Sequence, residues 1–285
     1  MTRVGLIGLG RTGSVVAKEL LNHPDFKVTM SLVSPGSKKA GIDVGQHLNM
    51  GTQDLIIKGS DQLEPELLAT NPQVIIDFTS PEACLKNLNT VSRYEKPIII
   101  GTTGFSDEQL KELKKTARRK KMPIIYAPNL TLGVNVLMNL VLKVARTLPD
   151  WDIEIIETHH RYKKDAPSGT AVKLGKLLAE ELGRPDTDIT FSHDRNGYRR
   201  DKTIAIHSIR GGGVVGVHQV VFLNDHEKLE IRHEALSRSS FVECLVHIIR
   251  FAVMALPGFY TVEEIMGLNS EEAAAAQMPK RVSIA

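Results

Sequence analysis

The sequence predicts an α/β protein: a Rossmann-like doubly wound parallel sheet with a second α+β domain built on a mixed or antiparallel sheet. Three observations carry that reading. Up to Asn129, unbroken apolar runs alternate with amphipathic helices, the pattern of strands buried on both faces of a parallel sheet. The first of these runs ends in a glycine-rich turn. Beyond Lys202 the pattern changes to alternating strands joined by short turns.

Taken in order, "RVGLIG" (Arg3–Gly8) is a buried strand, and in "RTGSVVAKELLNH" Val15, Val16, Leu20 and Leu21 fall at helical spacing. Phe26–Val33 is rich in strand-forming residues. Gln73–Phe78 and Pro97–Thr103 are further buried strands, each leading into a helix, Pro81–Tyr94 and Asp107–Lys120. Met122–Asn129 is one more strand. A long apolar helix, "GVNVLMNLVLKVARTL", then precedes the strand "WDIEIIETHH". From Lys202 the chain reads as a meander: "TIAIHSIR", a "GGG" run, "VVGVHQVVFL", the turn "NDHE" and "KLEIRHEAL". A returning helix, "RSSFVECLVHIIRFAVMAL", has Ser239 or Ser240 as its cap. The expected division is 1–129 plus 240–285 for a dinucleotide-binding domain, and 130–239 for substrate binding and oligomerisation.

Bulk properties narrow the class. The 285 residues are 42% hydrophobic and 24% charged, as in a globular protein. A net charge of +3 gives no argument for a nucleic-acid or membrane partner. Cys84 and Cys244 have neither ligand-like spacing nor a disulfide pattern, which suits a reducing cytoplasm. The first residues read as entering a strand at once, from which no leader is expected, and no apolar run has the length of a membrane span. The end, "AAAAQMPKRVSIA", reads as a helix fraying into a short basic tail.

"GLGRTG" places Gly8, Gly10, Arg11, Thr12 and Gly13 in a G-x-G-x-x-G turn between a strand and a helix. The first glycine permits the tight turn, the second lets a pyrophosphate approach, and the third lets helix and sheet pack closely. The helix N-terminus adds unpaired amides for the phosphates. At the end of the second strand there is no acid for a ribose 2′-OH. Ser34, Ser37, Lys38 and Lys39 stand there instead and suit a 2′-phosphate, which favours NADPH and leaves NADH open. A merely solvated loop is the other reading of these lysines. Gly101, Thr102, Thr103 and Gly104 lie at another strand end, where Thr102 and Thr103 offer hydroxyls and amides to a nicotinamide carboxamide, or simply cap a helix.

The densest motif is "ETHHRYKKDAPSGTA" (Glu157–Ala171). Pro167 is expected at a helix start, with Ser168, Gly169 and Thr170 forming a first turn whose amides and hydroxyls receive a carboxylate. Lys163 and Lys164 add cationic donors. His159 and His160 end a strand pointing in opposite directions, and imidazole suits proton transfer near neutrality. A zinc site is disfavoured because adjacent histidines rarely converge on one metal, and no metal is expected. A serine hydrolase lacks its nucleophile elbow. The blandest alternative is a polar surface loop. The combination favours a small polyanionic substrate with a proton donor beside it. Both cysteines sit within helices as packing residues rather than as thiolate nucleophiles.

Together with "DFTSPE", "GTTGF" and "APNLTLGVNV" in that order, this motif closely resembles the 4-hydroxy-tetrahydrodipicolinate reductase (dihydrodipicolinate reductase) family, from Val4 to about Leu268. The resemblance implies NADPH- or NADH-dependent reduction of a cyclic dicarboxylate in diaminopimelate and lysine biosynthesis. His159 would be the general acid, with Lys163 assisting. His160, Ser168, Gly169 and Thr170 would hold the substrate carboxylates, and Gly101, Thr102, Thr103, Ala127 and Asn129 would contact the nicotinamide. A homotetramer built through the second domain's sheet is also implied. Two departures stand out: the glycine turn is shorter than the family's usual form, with Thr12 before its last glycine, and Ser80 follows "DFT" where many relatives carry a basic residue.

Overall fold

The structure, a computed structural model, describes residues 1–191, 199–237 and 240–267. In chain order the elements are β1 (Thr2–Ile7), α1 (Arg11–Asn22), β2 (Phe26–Val33), α2 (Val44–His47), β3 (Lys58–Gly59), α3 (Leu63–Thr70), β4 (Val74–Asp77), α4 (Pro81–Val91), β5 (Ile98–Ile100), α5 (Asp107–Arg119) and β6 (Pro123–Tyr126). There follow α6 (Leu132–Thr147), β7 (Asp152–His159), α7 (Gly169–Glu181), β8 (Ile189–Thr190), β9 (Ile204–Arg210), β10 (Gly216–Leu223) and β11 (Lys228–Ala235). The chain then forms α8 (Ser240–Met254), β12 (Gly258–Thr261) and α9 (Val262–Ile265). Two compact units result: Met1–Leu130 joined by the chain from Phe241 on, and Thr131–Ser240.

The first unit holds a seven-stranded sheet in the order β12-β6-β5-β4-β1-β2-β3, with every pairing parallel. Runs such as "VIID" and "III" are buried at each position, because helices cover both faces of a parallel sheet. One side of the core joins Ile7, Met30, Ile75, Ile98 and Ile124 to Leu88 of α4 and Leu113 of α5. At about 1.5–3 kcal/mol for each such side chain fully buried, this packing exceeds what any single polar loop contact supplies. The strand ends are therefore the fixed frame and the loops follow them. Order reverses between β1 and β4, the switch point at which open α/β sheets take their ligands.

The second unit has a mixed sheet in the order β11-β10-β7-β9-β8. β10 is antiparallel to β7 and β11, whereas β9 is parallel to β7 and β8. The predicted meander thus holds only for the β10–β11 hairpin. β9 does not pair with β10, because β7 lies between them. Alternation identifies a strand's two faces but not its neighbours, and the α7 crossover lets β9 join β7 in parallel. One face packs on α6 and α7, burying Val134, Met138, Val141, Leu174 and Leu178 against Ile153, Ile155, Ile206 and Phe222. β12, four residues long, adds the sheet edge beside β6 that the sequence reading passed over. Ser240 is the first helical residue of α8. Ser239 and the basic tail lie outside the described residues.

Candidate active site

Four loops that the sequence singles out begin side by side at the carboxyl end of the first sheet. Phe78 N–H donates to Ile7 O (2.8 Å), Gly101 N–H to Asp77 O (2.9 Å) and Ala127 N–H to Ile100 O (2.8 Å). Gly8 has φ +97°, and a Cβ there would come within 2.5 Å of Phe78 O. A Cβ at Gly13 would lie 1.8 Å from Gly8 O, yet one at Gly10 would meet nothing within 4 Å. The turn is thus closed by glycine on its inner side and open on its outer side. Gly10 caps α1 without a side-chain bond, and Arg11 and Thr12 are exposed beside it. These residues fit the pyrophosphate of a dinucleotide.

The second-strand loop divides its expected roles. Ser34 is exposed, its carbonyl taken by Ser37 N–H, and Lys38 is exposed. Lys39 instead turns toward the glycine turn, donating its Nζ to Leu9 O at 2.5 Å. It lines a surface cavity of about 610 Å³ with Gly10, Arg11, Ser14, Lys18 and His47. Burial and the nearby Lys39 ammonium hold the His47 imidazole below its ordinary range. The cavity's charge is therefore that of its lysines and Arg11, which suits an anion.

Asp77, at the end of β4, ties these loops together and was not singled out from sequence. It is fully buried. Its Oδ1 accepts from Thr79 N–H (2.9 Å), Thr79 hydroxyl (2.6 Å) and Thr102 hydroxyl (3.2 Å), and its Oδ2 from Asn87 Nδ2 (2.9 Å). Burial raises its pKa, with those neutral donors opposing. The Thr102 hydroxyl is thus engaged within the protein and its residue is buried, whereas Thr103 is exposed. Gly101 serves by its smallness: a Cβ there would lie 2.1 Å from the Phe78 ring. Ala127 is fully buried and Asn129 partly so. Burial pushes up the pKa of both thiols, Cys84 beyond the titratable range and Cys244 to about 11, so neither is a ready nucleophile.

The second unit assembles the histidine motif around another fully buried carboxylate, Glu157. Glu157 Oε2 meets His159 Nδ1 at 2.5 Å and Arg210 Nη1 at 2.8 Å. Glu157 Oε1 accepts from Arg210 Nη2 at 2.6 Å and from Ser168 N–H at 3.1 Å. Burial alone would raise the acid's pKa, but hydrogen bonds from Arg210, Ser208 and His159 pull it down to about 2. His159 is 9% exposed, and burial lowers its pKa while Glu157 raises it and Lys163 and Arg210 add to the lowering. A Cβ at Gly216 would come 3.1 Å from His159 Nε2, so glycine leaves that nitrogen its space.

Ser168 is the N-cap of α7, one residue after Pro167, and is nearly fully buried. Its Oγ accepts from Ala171 N–H at 3.2 Å and shares a hydrogen bond with His218 Nε2 at 3.2 Å. With its N–H on Glu157 as well, Ser168 is engaged within the protein, and the amides of Gly169 and Thr170 are the remaining donors of the turn. Helix geometry leaves those two without an intrahelical acceptor, and a Cβ at Gly169 would meet nothing within 4 Å. Lys163 pairs with the Asp165 carboxylate at 2.8 Å. His160 keeps a buried Nδ1 without a partner among the described residues. Burial and the neighbouring His159 lower His218 to about 4, so it stays neutral beside the Ser168 hydroxyl. Among the described residues no cluster of His, Cys, Asp and Glu is arranged to hold a metal ion, and no helix is long and apolar enough to cross a membrane.

Comparison with known proteins divides the chain after residue 130, where the first unit passes into the second. Residues 2–130 match the family described as "Dihydrodipicolinate reductase, N-terminus" and residues 133–266 match "Dihydrodipicolinate reductase, C-terminus". The 4-hydroxy-tetrahydrodipicolinate reductase of Methanocaldococcus jannaschii is 36% identical over 270 residues, 94% of this chain and 98% of that one. The protein of the same name from Hahella chejuensis is 39% identical over 273 residues, 94% of this chain and all of its own. Among solved structures, a dipicolinate-bound dihydrodipicolinate reductase from Paenisporosarcina sp. TG-14 superposes with a TM-score of 0.72 at 26% identity, covering 92% of this chain and 97% of that one.

Proposed function

The chain belongs to the dihydrodipicolinate reductase family, and from that premise we propose that His159 is its proton donor and that Lys163, His160 and the first turn of α7 bind its substrate. It is an NAD(P)H-dependent oxidoreductase of diaminopimelate and lysine biosynthesis, converting 4-hydroxy-2,3,4,5-tetrahydrodipicolinate to tetrahydrodipicolinate. The 4-hydroxyl leaves together with a hydrogen of the neighbouring ring carbon as water, a hydride then adds at the carbon that lost the hydroxyl, and the neighbouring carbon takes a proton. Gly8, Gly10, Arg11, Thr12 and Gly13 would hold the pyrophosphate of NAD(P)H and Gly101, Thr102, Thr103, Ala127 and Asn129 would contact its nicotinamide, which would supply the hydride.

The observation that carries the assignment is the state of the His159 ring: Nδ1 is held by a buried carboxylate, and among the described residues Nε2 has no hydrogen-bond partner. A ring held at one nitrogen presents the other to a single direction, which a proton donor to carbon requires. The electrostatics support the same reading. His159 is kept below its ordinary pKa by burial and by two nearby cations. A dianionic substrate beside it offsets those cations and raises its pKa, so the acid is loaded when the ring is bound. Lys163 exchanges its Asp165 partner for a substrate carboxylate, while the Gly169 and Thr170 amides take an anionic oxygen without desolvating a new cation. Lys39, beside the glycine turn, favours a 2′-phosphate, so Lys39→Ala should weaken NADPH more than NADH in parallel oxidation assays.

The second sheet's face away from α6 and α7 carries Ile156, Ile209, Gln219 and Leu223, all partly or well exposed. Pairing of such faces accords with a homotetramer, which light scattering would test; a monomer would remove it. Free, buried cysteines accord with the cytoplasm. For the central assignment the test is His159→Gln. Turnover should fall by roughly 10²–10⁴-fold with cofactor affinity retained; unchanged turnover would remove the general-acid role.

A further inference from the structure

We propose that Glu157 is a positioning residue for the reaction: its buried carboxylate sets the tautomer and charge of His159 and also fixes the first turn of α7, holding proton donor and anion receptor in one frame. This rests on the reading of His159 as the acid. The geometry is that of a hub. One carboxylate oxygen meets His159 Nδ1, the other accepts the Ser168 amide, and the Arg210 guanidinium bridges both oxygens. With Glu157 ionised, Nδ1 must carry a proton toward it, which leaves Nε2 as the nitrogen that exchanges protons with substrate. A carboxylate kept only to satisfy Arg210 would not need the imidazole on the same oxygen. The Arg210 Nη2 also donates to Asp165 O at 2.7 Å, so the loop that presents Lys163 hangs on the same ion pair.

The charges that face His159 act in opposite directions. Glu157, on its own strand, favours the imidazolium. Arg210 from β9 and Lys163 from the loop after β7 disfavour it. Neutral His218 from β10 lies edge-on with its ring centroid 5.2 Å away, and the Asp165 carboxylate pairs with Lys163. Removing Glu157's charge must therefore make His159 a stronger acid, and removing Arg210's must make it a weaker one.

The experiment is kcat/KM for the dicarboxylate against pH in the full-length enzyme, for wild type, Glu157→Gln, Arg210→Gln and Arg210→Lys. Turnover needs protonated His159, so the rate falls as pH rises through its pKa. Glu157→Gln should lower kcat by roughly 10²–10³-fold, leave the cofactor KM unchanged and move that falling limb to lower pH. Arg210→Gln should move it to higher pH, and Arg210→Lys should bring it back toward wild type. A limb that stays in place in both Gln variants, or that moves the same way in both, would overturn the proposal, as would full activity in Glu157→Gln. Should Glu157→Gln fail to fold, the Arg210 pair reads the same coupling from the other side. Failure of this inference differs from failure of the general-acid reading: an inert His159→Gln beside an indifferent Glu157→Gln removes Glu157's role alone.

Discussion

Asp77 and Glu157 are both fully buried carboxylates near the ends of strands, one in each unit, and their surroundings are opposite. Among the described residues Asp77 is met by neutral donors, two hydroxyls, one backbone amide, one side-chain amide and the Cys84 thiol, and its pKa is raised. Glu157 is met by a guanidinium and an imidazole, and its pKa is pulled down to about 2. Neither carboxylate reaches solvent, and the charge of its partners sets the direction of each shift. Neutral donors make Asp77 a fastener for the loops after β4 and β5. Charged partners make Glu157 able to influence a proton elsewhere.

Exchange of function between the two sites would break this contrast. The largest separation is expected from Asp77→Asn. Each carboxylate oxygen faces an obligate donor, Thr79 N–H on one and Asn87 Nδ2 on the other, so an amide must set N–H against N–H. We expect a loss of about 1–3 kcal/mol in stability by urea unfolding, a cofactor KM raised about tenfold, and a pH–rate limb that does not move. A shifted limb would mean that Asp77 also acts electrostatically on the acid. Next is Gly216→Ala. Its methyl would crowd His159 Nε2, and turnover should drop roughly tenfold with the cofactor KM intact. Normal turnover would show that the proton leaves by another path.

The smallest effect sharpens the contrast through stability. Glu157 has a folded-state pKa below its unfolded 4.5, so it stabilises the protein above that value and the contribution is lost as pH falls toward about 2. Asp77 has a folded-state pKa above 3.8, so it works the other way: as pH falls through the raised value, the folded state takes up the proton first and gains. In urea titrations over this acid range, Glu157→Gln should flatten the loss of stability and Asp77→Asn should steepen it slightly. Parallel curves for both variants and wild type would contradict the assignment of charge states.

What the sequence made legible follows the range of the interactions. The glycine turn, the "GTTG" strand end and the histidine motif are contiguous, and each needs only its own backbone to be recognised. Thr102 and Ser168 were recognised as site residues, but their committed hydroxyls were not, because Asp77 and His218 reach them from 25 and 50 residues away. Arg210 reaches Glu157 across 53 residues by a parallel pairing that alternation could not place. Glu157 did leave a local trace. In "DIEIIETH" it shares the parity of Ile153 and Ile155, the face that packs on helices, so an acid stood where the pattern required an apolar residue. Such a position needs partners, and the adjacent same-parity histidine is the first of them. The short β3 and β12 left too few residues for any period to appear.

The most direct measurement is the protonation state of His159 itself, by nitrogen-15 NMR of histidine-labelled enzyme near neutral pH, with Glu157→Gln as the comparison. We predict a neutral ring protonated at Nδ1, with that proton strongly deshielded toward Glu157, and loss of the deshielded signal in the variant. A ring protonated at Nε2 in the wild type, or a spectrum unchanged by the substitution, would contradict the role assigned to Glu157.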